Sequence, residues 1–286
     1  MTLDIEHLRS WIRRQEHRTD QITLVPLQAL SATLDREDNW SLGDEVPPLW
    51  HWLYCLPLHR QSALGPDGHA LRGGFLPPVE LPRRMWAGSQ LRFLHPLRAG
   101  QAVQRLSTID DVRLKEGRSG SLVFVKVRHD LHAEGRAVLQ EFHDIVYRGE
   151  PSPDDPPATA RAAPAPAGWD PLWRRSIEPD DVLLFRYSAL TFNGHRIHYD
   201  RRHATQVEGY PGLVVHGPLI ATLLLDLLRR HEPRARVHRF EFRAVHPVFD
   251  VAAFTVCGCP TQAGHALLWA LTPEGHLAME ATAQFD

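Results

Sequence analysis

Between Tyr187 and Asp200 the chain sets an amide, two imidazoles and a carboxylate close together, at Asn193, His195, His198 and Asp200. His216 and Gly217 follow, directly before an apolar run that opens on Pro218. An imidazole that titrates near neutrality can take a proton from water and return it to carbon. A glycine N–H at a helix start can meanwhile hold the negative charge that develops on a carbonyl oxygen, with the helix dipole in support. The residues therefore point to proton transfer on a carbonyl-activated substrate.

Such groups need rigid elements behind them. The run Pro218–Leu228 is apolar almost throughout and opens on the proline favoured in a first helical turn, so it reads as a helix buried on nearly all sides. The first half holds a shorter apolar stretch, Leu49–Leu56, which reads as its counterpart helix. Downstream of each, the chain repeats itself. Gln90–Leu97 and Phe240–Val248 both read as a strand running into His-Pro, at His95 and His246. Ser121–Val127 with Arg136–Glu141, and Ala266–Leu271 with His276–Glu280, both read as strand pairs joined through Glu-Gly, the signature of a hairpin. Each half is thus one buried helix followed by an antiparallel sheet, and two copies in one chain make an α+β double hotdog. The charged opening, Leu3–Arg18, reads as an amphipathic helix docked on the first half.

The segment Gly149–Gly168 is rich in Pro and Ala and poor in large apolar residues, so it reads as a linker. It separates an N-terminal hotdog half at 1–148 from a C-terminal half at 169–286. Only the second half carries the Asn/His cluster. The region Ala29–Trp40 of the first half has no histidine, which makes that half the supporting one, able to supply a wall of the binding cavity.

The length of 286 residues fits about two ordinary domains. An apolar fraction of 43% and a charged fraction of 23% are those of a globular protein, and a net charge of −2 gives no electrostatic case for nucleic acid or an anionic membrane. No apolar run is long enough to span a bilayer, and the N-terminal residues do not read as a secretion signal. Three cysteines, Cys55, Cys257 and Cys259, without disulfide-framework spacing suit a reducing compartment, and the cytoplasm is the expected location. Cys257 and Cys259 should share one face of a strand as small buried residues.

Asn193-Gly-His-Arg-Ile-His198-Tyr-Asp200, with His216-Gly217 farther on, resembles the MaoC-like (R)-specific enoyl-CoA hydratases and 3-hydroxyacyl-thioester dehydratases. Their motif is Asp-x-Asn-Pro-(Ile/Leu)-His-x-Asp followed by His-Gly. The surrounding residues look closest to a double-hotdog branch that contains mitochondrial-type thioester dehydratases and the hydratases of mesaconyl- and itaconyl-CoA. The resemblance implies that His198 is the catalytic histidine and that the Gly217 N–H forms the oxyanion hole. It implies a CoA thioester as the small-molecule partner, no cofactor beyond the CoA of the substrate, and a role in itaconate degradation. The family's catalytic Asp falls on Asn193, which cannot act as a base but can orient water or the substrate's 3-hydroxyl. His198 is then the principal proton carrier, serving both steps of a syn addition.

Other residues fill in around this core. Asp200 is a candidate for orienting the imidazole. His216 and Tyr187 are candidate cavity walls, and Arg196 and Arg243 are candidates for gripping a distal carboxylate. His195, His198, His203 and His216 match no common zinc signature, so no metal is expected. Within the family a straight-chain 3-hydroxyacyl-thioester dehydratase is the alternative. A non-catalytic acyl-CoA-binding protein on the same fold is an alternative of another class, favoured by Asn193. A thioesterase gives the cluster no role. Two such chains could pair further as a homo-oligomer.

Overall fold

The computed structural model describes residues 3–117, 120–149 and 163–286. One ten-stranded, wholly antiparallel sheet runs through it in the order β1-β3-β4-β5-β2-β7-β10-β9-β8-β6. The first half contributes β1 (Gln15–Gln21), β2 (Arg83–Phe93), β3 (Ala102–Gly117), β4 (Gly120–Ala133) and β5 (Arg136–Arg148). The second contributes β6 (Trp173–Ile177), β7 (Val237–Ala244), β8 (Phe254–Gln262), β9 (His265–Leu271) and β10 (Leu277–Phe285). The strand order reads the same outward from the centre on both sides. β2 and β7 join the halves there, with Gln90 opposite Glu241 and Leu91 opposite Phe240.

The repeat units read from the sequence have clear local causes. Glu134 and Gly135 both take positive φ, 51° and 77°, which is the twist a two-residue turn needs between β4 and β5. β9 and β10 are joined by a longer turn closed by Gly275 at φ 82°. His95 and His246 end equivalent strands, and their N–H groups donate to Val138 and Ala278 carbonyls. Cys257 and Cys259 are free thiols against the small cluster around Trp269.

Helices α1 (Ile5–Arg9), α2 (Leu24–Thr33), α3 (Asp181–Leu190) and α4 (Gly217–His231) complete the fold. α4 is the central helix: every residue from Leu219 to Leu228 is buried. Each fully buried aliphatic side chain among them contributes roughly 1.5–3 kcal/mol. Asp226, buried on this helix, binds Arg36 at 2.9 Å, Arg175 at 3.0 Å and Arg230 at 2.7 Å. Arg36 belongs to the segment after α2, so this ion cluster ties the central helix to the first half.

Two expectations about helices need correction. Leu49–Leu56 is no counterpart of α4: it makes only a 3-10 turn at Trp50–Leu53, bounded by positive φ at Leu49 and Cys55. His51 and Trp52 are drawn to the Glu141 carboxylate on β5, each at 3.1 Å, which a regular helix would not allow. The element in the first half that occupies the place equivalent to α3 is α2, and the two pack together. The opening segment is likewise not one helix; α1 spans Ile5–Arg9 and the chain then enters β1 at Gln15.

Because the first half lacks a long central helix, the inner face of β2–β5 is left partly uncovered. It forms one wall of a cavity of about 2010 Å³ whose other wall comes from α3, the 193–198 segment and the start of α4. Of the segment read as a linker, 150–162 lie outside the described residues; beyond them, Ala163 and Pro164 bridge to the strand end at Leu277 and His276, and the Trp169 ring packs at a tilt against Trp269, with centroids 5.4 Å apart. Among the described residues no helix is long and apolar enough to cross a membrane.

Candidate active site

Asp180 caps α3 by accepting the Leu183 N–H at 2.7 Å, and the helix ends at Thr191, where Phe192 at φ 49° turns the chain. The Asn193 side-chain oxygen then accepts the His195 N–H at 3.0 Å and opens a 3-10 turn at Arg196–His198. The Val214 N–H donates to the Ile197 carbonyl, so the segment that leads into α4 lies alongside this turn. His198 is buried there, with Nδ1 2.7 Å from the Val214 carbonyl oxygen. A carbonyl only accepts, so Nδ1 carries the proton and Nε2 keeps its lone pair. Burial pushes the His198 pKa down to about 4 against the opposing effect of the Val214 bond, and the ring is neutral at pH 7.

His216 stacks on His198 with ring centroids 3.8 Å apart. It is wholly buried, and its Nε2 lies 2.8 Å from the Ser188 hydroxyl. Burial, with His198 beside it, pushes its pKa well down. Tyr187, also buried, meets His216 edge-on at 5.1 Å, and burial raises its phenol pKa.

Gly217 is the first residue of α4 and Pro218 the second. Among the described residues no acceptor takes the Gly217 N–H. A Cβ placed on Gly217 would meet nothing within 4 Å, so the fold does not require glycine there. His198 and Gly217 line the same cavity. A neutral base and a free N–H at a helix N-terminus thus face one space, which is the pair of groups that an enolate-forming proton transfer uses.

Three assignments made from the sequence change. Asp200 does not reach the imidazole: its carboxylate accepts from Arg196 at 2.7 Å and from the His203 N–H at 3.0 Å, and the Val214 carbonyl orients His198 instead. Arg196 is committed to Asp200 and to the Pro66 carbonyl at 2.9 Å, which makes it a strut rather than a free guanidinium. Arg243 is exposed on β7, pairs with Glu280 at 2.8 Å and does not line the cavity.

The first half supplies groups that no motif announced. Asp67 and His69, on the loop before β2, lie against the motif, with the His69 ring 3.9 Å from that of His195. Asp67, His69 and His195 bring one ligand atom each within 4.8 Å of one another, the one such group among the described residues. The Arg84 and Asp67 charges act on both imidazoles in opposite senses. On the inner face of β3–β5 a second polar chain runs from the Ser107 hydroxyl to His129 Nδ1 at 2.7 Å, His129 Nε2 to His143 Nδ1 at 3.3 Å, and His143 Nε2 to Glu141 at 2.6 Å. Burial opposes the Glu141 charge, but His143 and His51 outweigh it and hold the carboxyl well below its usual range. A Gly- and Pro-rich loop with Asp and His in it, at 65–74, was the available signal for the first group; loops of that kind often carry function.

The family model described as hydroxyacyl-thioester dehydratase type 2 matches residues 49–250. The chain belongs to that family. A mesaconyl-C(4)-CoA hydratase of Chloroflexus aurantiacus is 46% identical over 280 residues, covering 96% of each chain. Among solved structures, a MaoC-like dehydratase aligns with a TM-score of 0.73 at 13% identity, over 97% of this chain and 99% of that one. A Mycobacterium tuberculosis protein described as a double hotdog aligns with a TM-score of 0.58 at 15% identity, over 96% of each. The fold is therefore an α+β double hotdog, and this type 2 dehydratase homologue is a hydro-lyase acting on acyl thioesters.

Proposed function

We propose that the protein adds water across the double bond of a small, branched C5 dicarboxylyl-CoA, mesaconyl- or itaconyl-CoA, to give citramalyl-CoA. The observation that carries the reading is the shared cavity of His198 and Gly217. On the mesaconyl thioester, whose double bond is conjugated with the carbonyl, water loses a proton to His198 Nε2 as its oxygen bonds to C3; an itaconyl thioester must first shift its double bond into that position by proton transfer from C2 to the terminal methylene. The C2–C3 electron pair moves onto the thioester, whose enolate oxygen is held by the Gly217 N–H. His198 then returns its proton to C2. Asn193 borders the reacting atoms, while Tyr187 and His216 back the imidazole.

Two features support a dicarboxylate. One is the likeness to the mesaconyl-C(4)-CoA hydratase. The other is the polar far wall of the cavity. Arg105 on β3 lies directly across the strand pair from Arg18 on β1, an unfavourable match of like charges. Arg18 is neutralised by Glu16, at 2.8 and 2.9 Å. Arg105 has no ion pair among the described residues, its buried Nε has no partner, and it lines the cavity beside Ser107 and His129. A half-buried guanidinium in no direct ion pair, with the Glu16 and Glu141 charges acting on it only through space, suits a substrate carboxylate, and such a wall is poorly suited to an alkyl chain.

The experiment is to follow loss of enoyl absorbance with mesaconyl-, itaconyl- and crotonyl-CoA and with longer straight-chain enoyl-CoAs. Turnover of the C5 dicarboxylyl thioesters, abolished in a folded His198→Ala variant, is expected. A preference that rises steadily from C4 to C10 would instead favour a fatty-acid-type dehydratase, and tight CoA binding without turnover a non-catalytic binding protein. Full activity in His198→Ala would reject the mechanism.

A further inference from the structure

A water that attacks carbon must turn a lone pair toward C3, so both of its protons need acceptors. His198 Nε2 is one. Asn193 is the weaker candidate for the other: its side-chain oxygen already accepts the His195 N–H at 3.0 Å, which ties it to its own turn, and the one lone pair left belongs to an uncharged amide.

The first half brings one in. The loop around Gly68 is seated on the motif: the Arg196 N–H donates to the Asp67 carbonyl at 2.9 Å, and a Cβ on Gly68 would lie 1.8 Å from the Gly194 carbonyl oxygen. Gly68 also sits at φ 87°, so this approach needs glycine on both counts. The docking sets His69 beside His195, whose ring is 5.4 Å from that of His198. His69 Nδ1 lies 2.9 Å from the Asp67 carboxylate, which also accepts the His69 N–H at 3.0 Å. An ionised carboxylate only accepts, so Nδ1 carries the proton and Nε2 of His69 is the lone-pair nitrogen. The ring lines the cavity. The charged and titratable groups that face it are Asp67, Arg84, Arg72 and His195, with His198 beyond.

We propose that His69, oriented by Asp67, is the second acceptor for the attacking water, and in the reverse direction for the substrate's 3-hydroxyl. The inference rests on the hydratase reading. One water proton passes to His198 Nε2 and then to C2. The other stays on oxygen, hydrogen-bonded to His69 Nε2, and remains on the product hydroxyl. His69 thus fixes the nucleophile without changing its own protonation.

The test compares wild type with His69→Ala, His69→Gln and Asp67→Asn on whichever enoyl-CoA the wild type turns over best. His69→Ala should lower kcat about a hundredfold or more, within the usual range for a positioned proton-handling group, while KM changes little. His69→Gln, which keeps an acceptor oxygen, should recover part of the loss. Asp67→Asn is nearly isosteric, but its amide can donate to Nδ1 and so move the proton to Nε2; kcat should fall, and nitrogen NMR of the His69 ring should report the changed tautomer. Folded variants that all retain kcat within about threefold of wild type would overturn the inference while leaving the hydratase reading intact. So would a stoichiometric metal ion in the purified protein whose removal abolishes turnover. A wild type inactive on every enoyl thioester would remove the hydratase reading and this inference together.

Discussion

His198 and His216 lie face to face, with ring centroids 3.8 Å apart and planes 18° apart. A proton added to either ring would put a cation against the face of a buried neighbour that has no carboxylate of its own. The pair therefore stays neutral well into the acid range, with His198 held down to about 4 by burial. The general base is lost only when it is protonated, so kcat/KM should remain level from pH 8 downward and fall with an acid limb near 4. A pH–rate profile that turns down between 6 and 7 would mean that His198 titrates as an ordinary imidazole.

Gly217 separates ligand requirements from folding requirements. Its Cβ position is empty of protein, and it is a helical residue, so Gly217→Ala should leave the thermal midpoint unchanged or slightly raised, by at most about 1 kcal/mol of stability. The methyl group would project toward the space where a thioester must approach the N–H. Turnover should drop about a hundredfold, as for loss of an oxyanion donor. Unfolding and kinetics measured on the same sample check both halves of the expectation; an active variant would place the oxyanion elsewhere.

The sequence carried the strands and the motif because their signals are local. The Glu134–Gly135 turn, the two His-Pro strand ends and the apolar stretch of α4 each follow from residues near one another in the chain. What it hid depends on tertiary contact. Leu49–Leu56 has helical composition, yet the buried Glu141 holds its His51 and Trp52 side chains, and that carboxylate lies 90 and 89 positions away. Asp200 is near His198 in sequence, but the chain runs its carboxylate toward Arg196, and the imidazole is oriented by a backbone carbonyl, which no residue type can announce. Arg196 and Arg243 lie close in sequence to the motif and to the His246 strand end, whereas Arg105, a cavity arginine with no ion pair among the described residues, sits in the half that carries no motif.

Stability should fall on mild acidification. His129, His195, His198 and His216 all have pKa values lowered by burial in the folded state. Below about pH 6.5 the unfolded chain takes up protons on these residues while the folded chain does not, so the unfolded state binds more protons and stability rises with pH in that window. The stabilisation is complete above about 6.5 and is lost progressively toward the folded values. Denaturant midpoints should therefore agree at pH 7.5 and 8.5 and be clearly lower at pH 5. A midpoint that is flat from pH 8 to pH 5 would show that these imidazoles are solvated and charge freely.

Selectivity should reside in Arg105 if the acyl group bears a free carboxylate. Its guanidinium meets Arg18 across the β1–β3 pair and is held in no direct ion pair among the described residues, with Glu16 and Glu141 acting on it only through space, so a substrate carboxylate would find a charge that is only partly compensated. Arg105→Met keeps the length of the stem and removes the charge. A charge-assisted hydrogen bond contributes about 1.5–3 kcal/mol, so the preference for mesaconyl- or itaconyl-CoA over crotonyl-CoA, expressed as a ratio of kcat/KM values, should fall roughly 10- to 100-fold. Because removing the charge also relieves the Arg18–Arg105 repulsion, the variant should unfold no earlier than wild type. An unaltered ratio would mean that the second carboxylate is read elsewhere in the cavity, and the arginines at 83 and 84, which also line it, would be the next to replace.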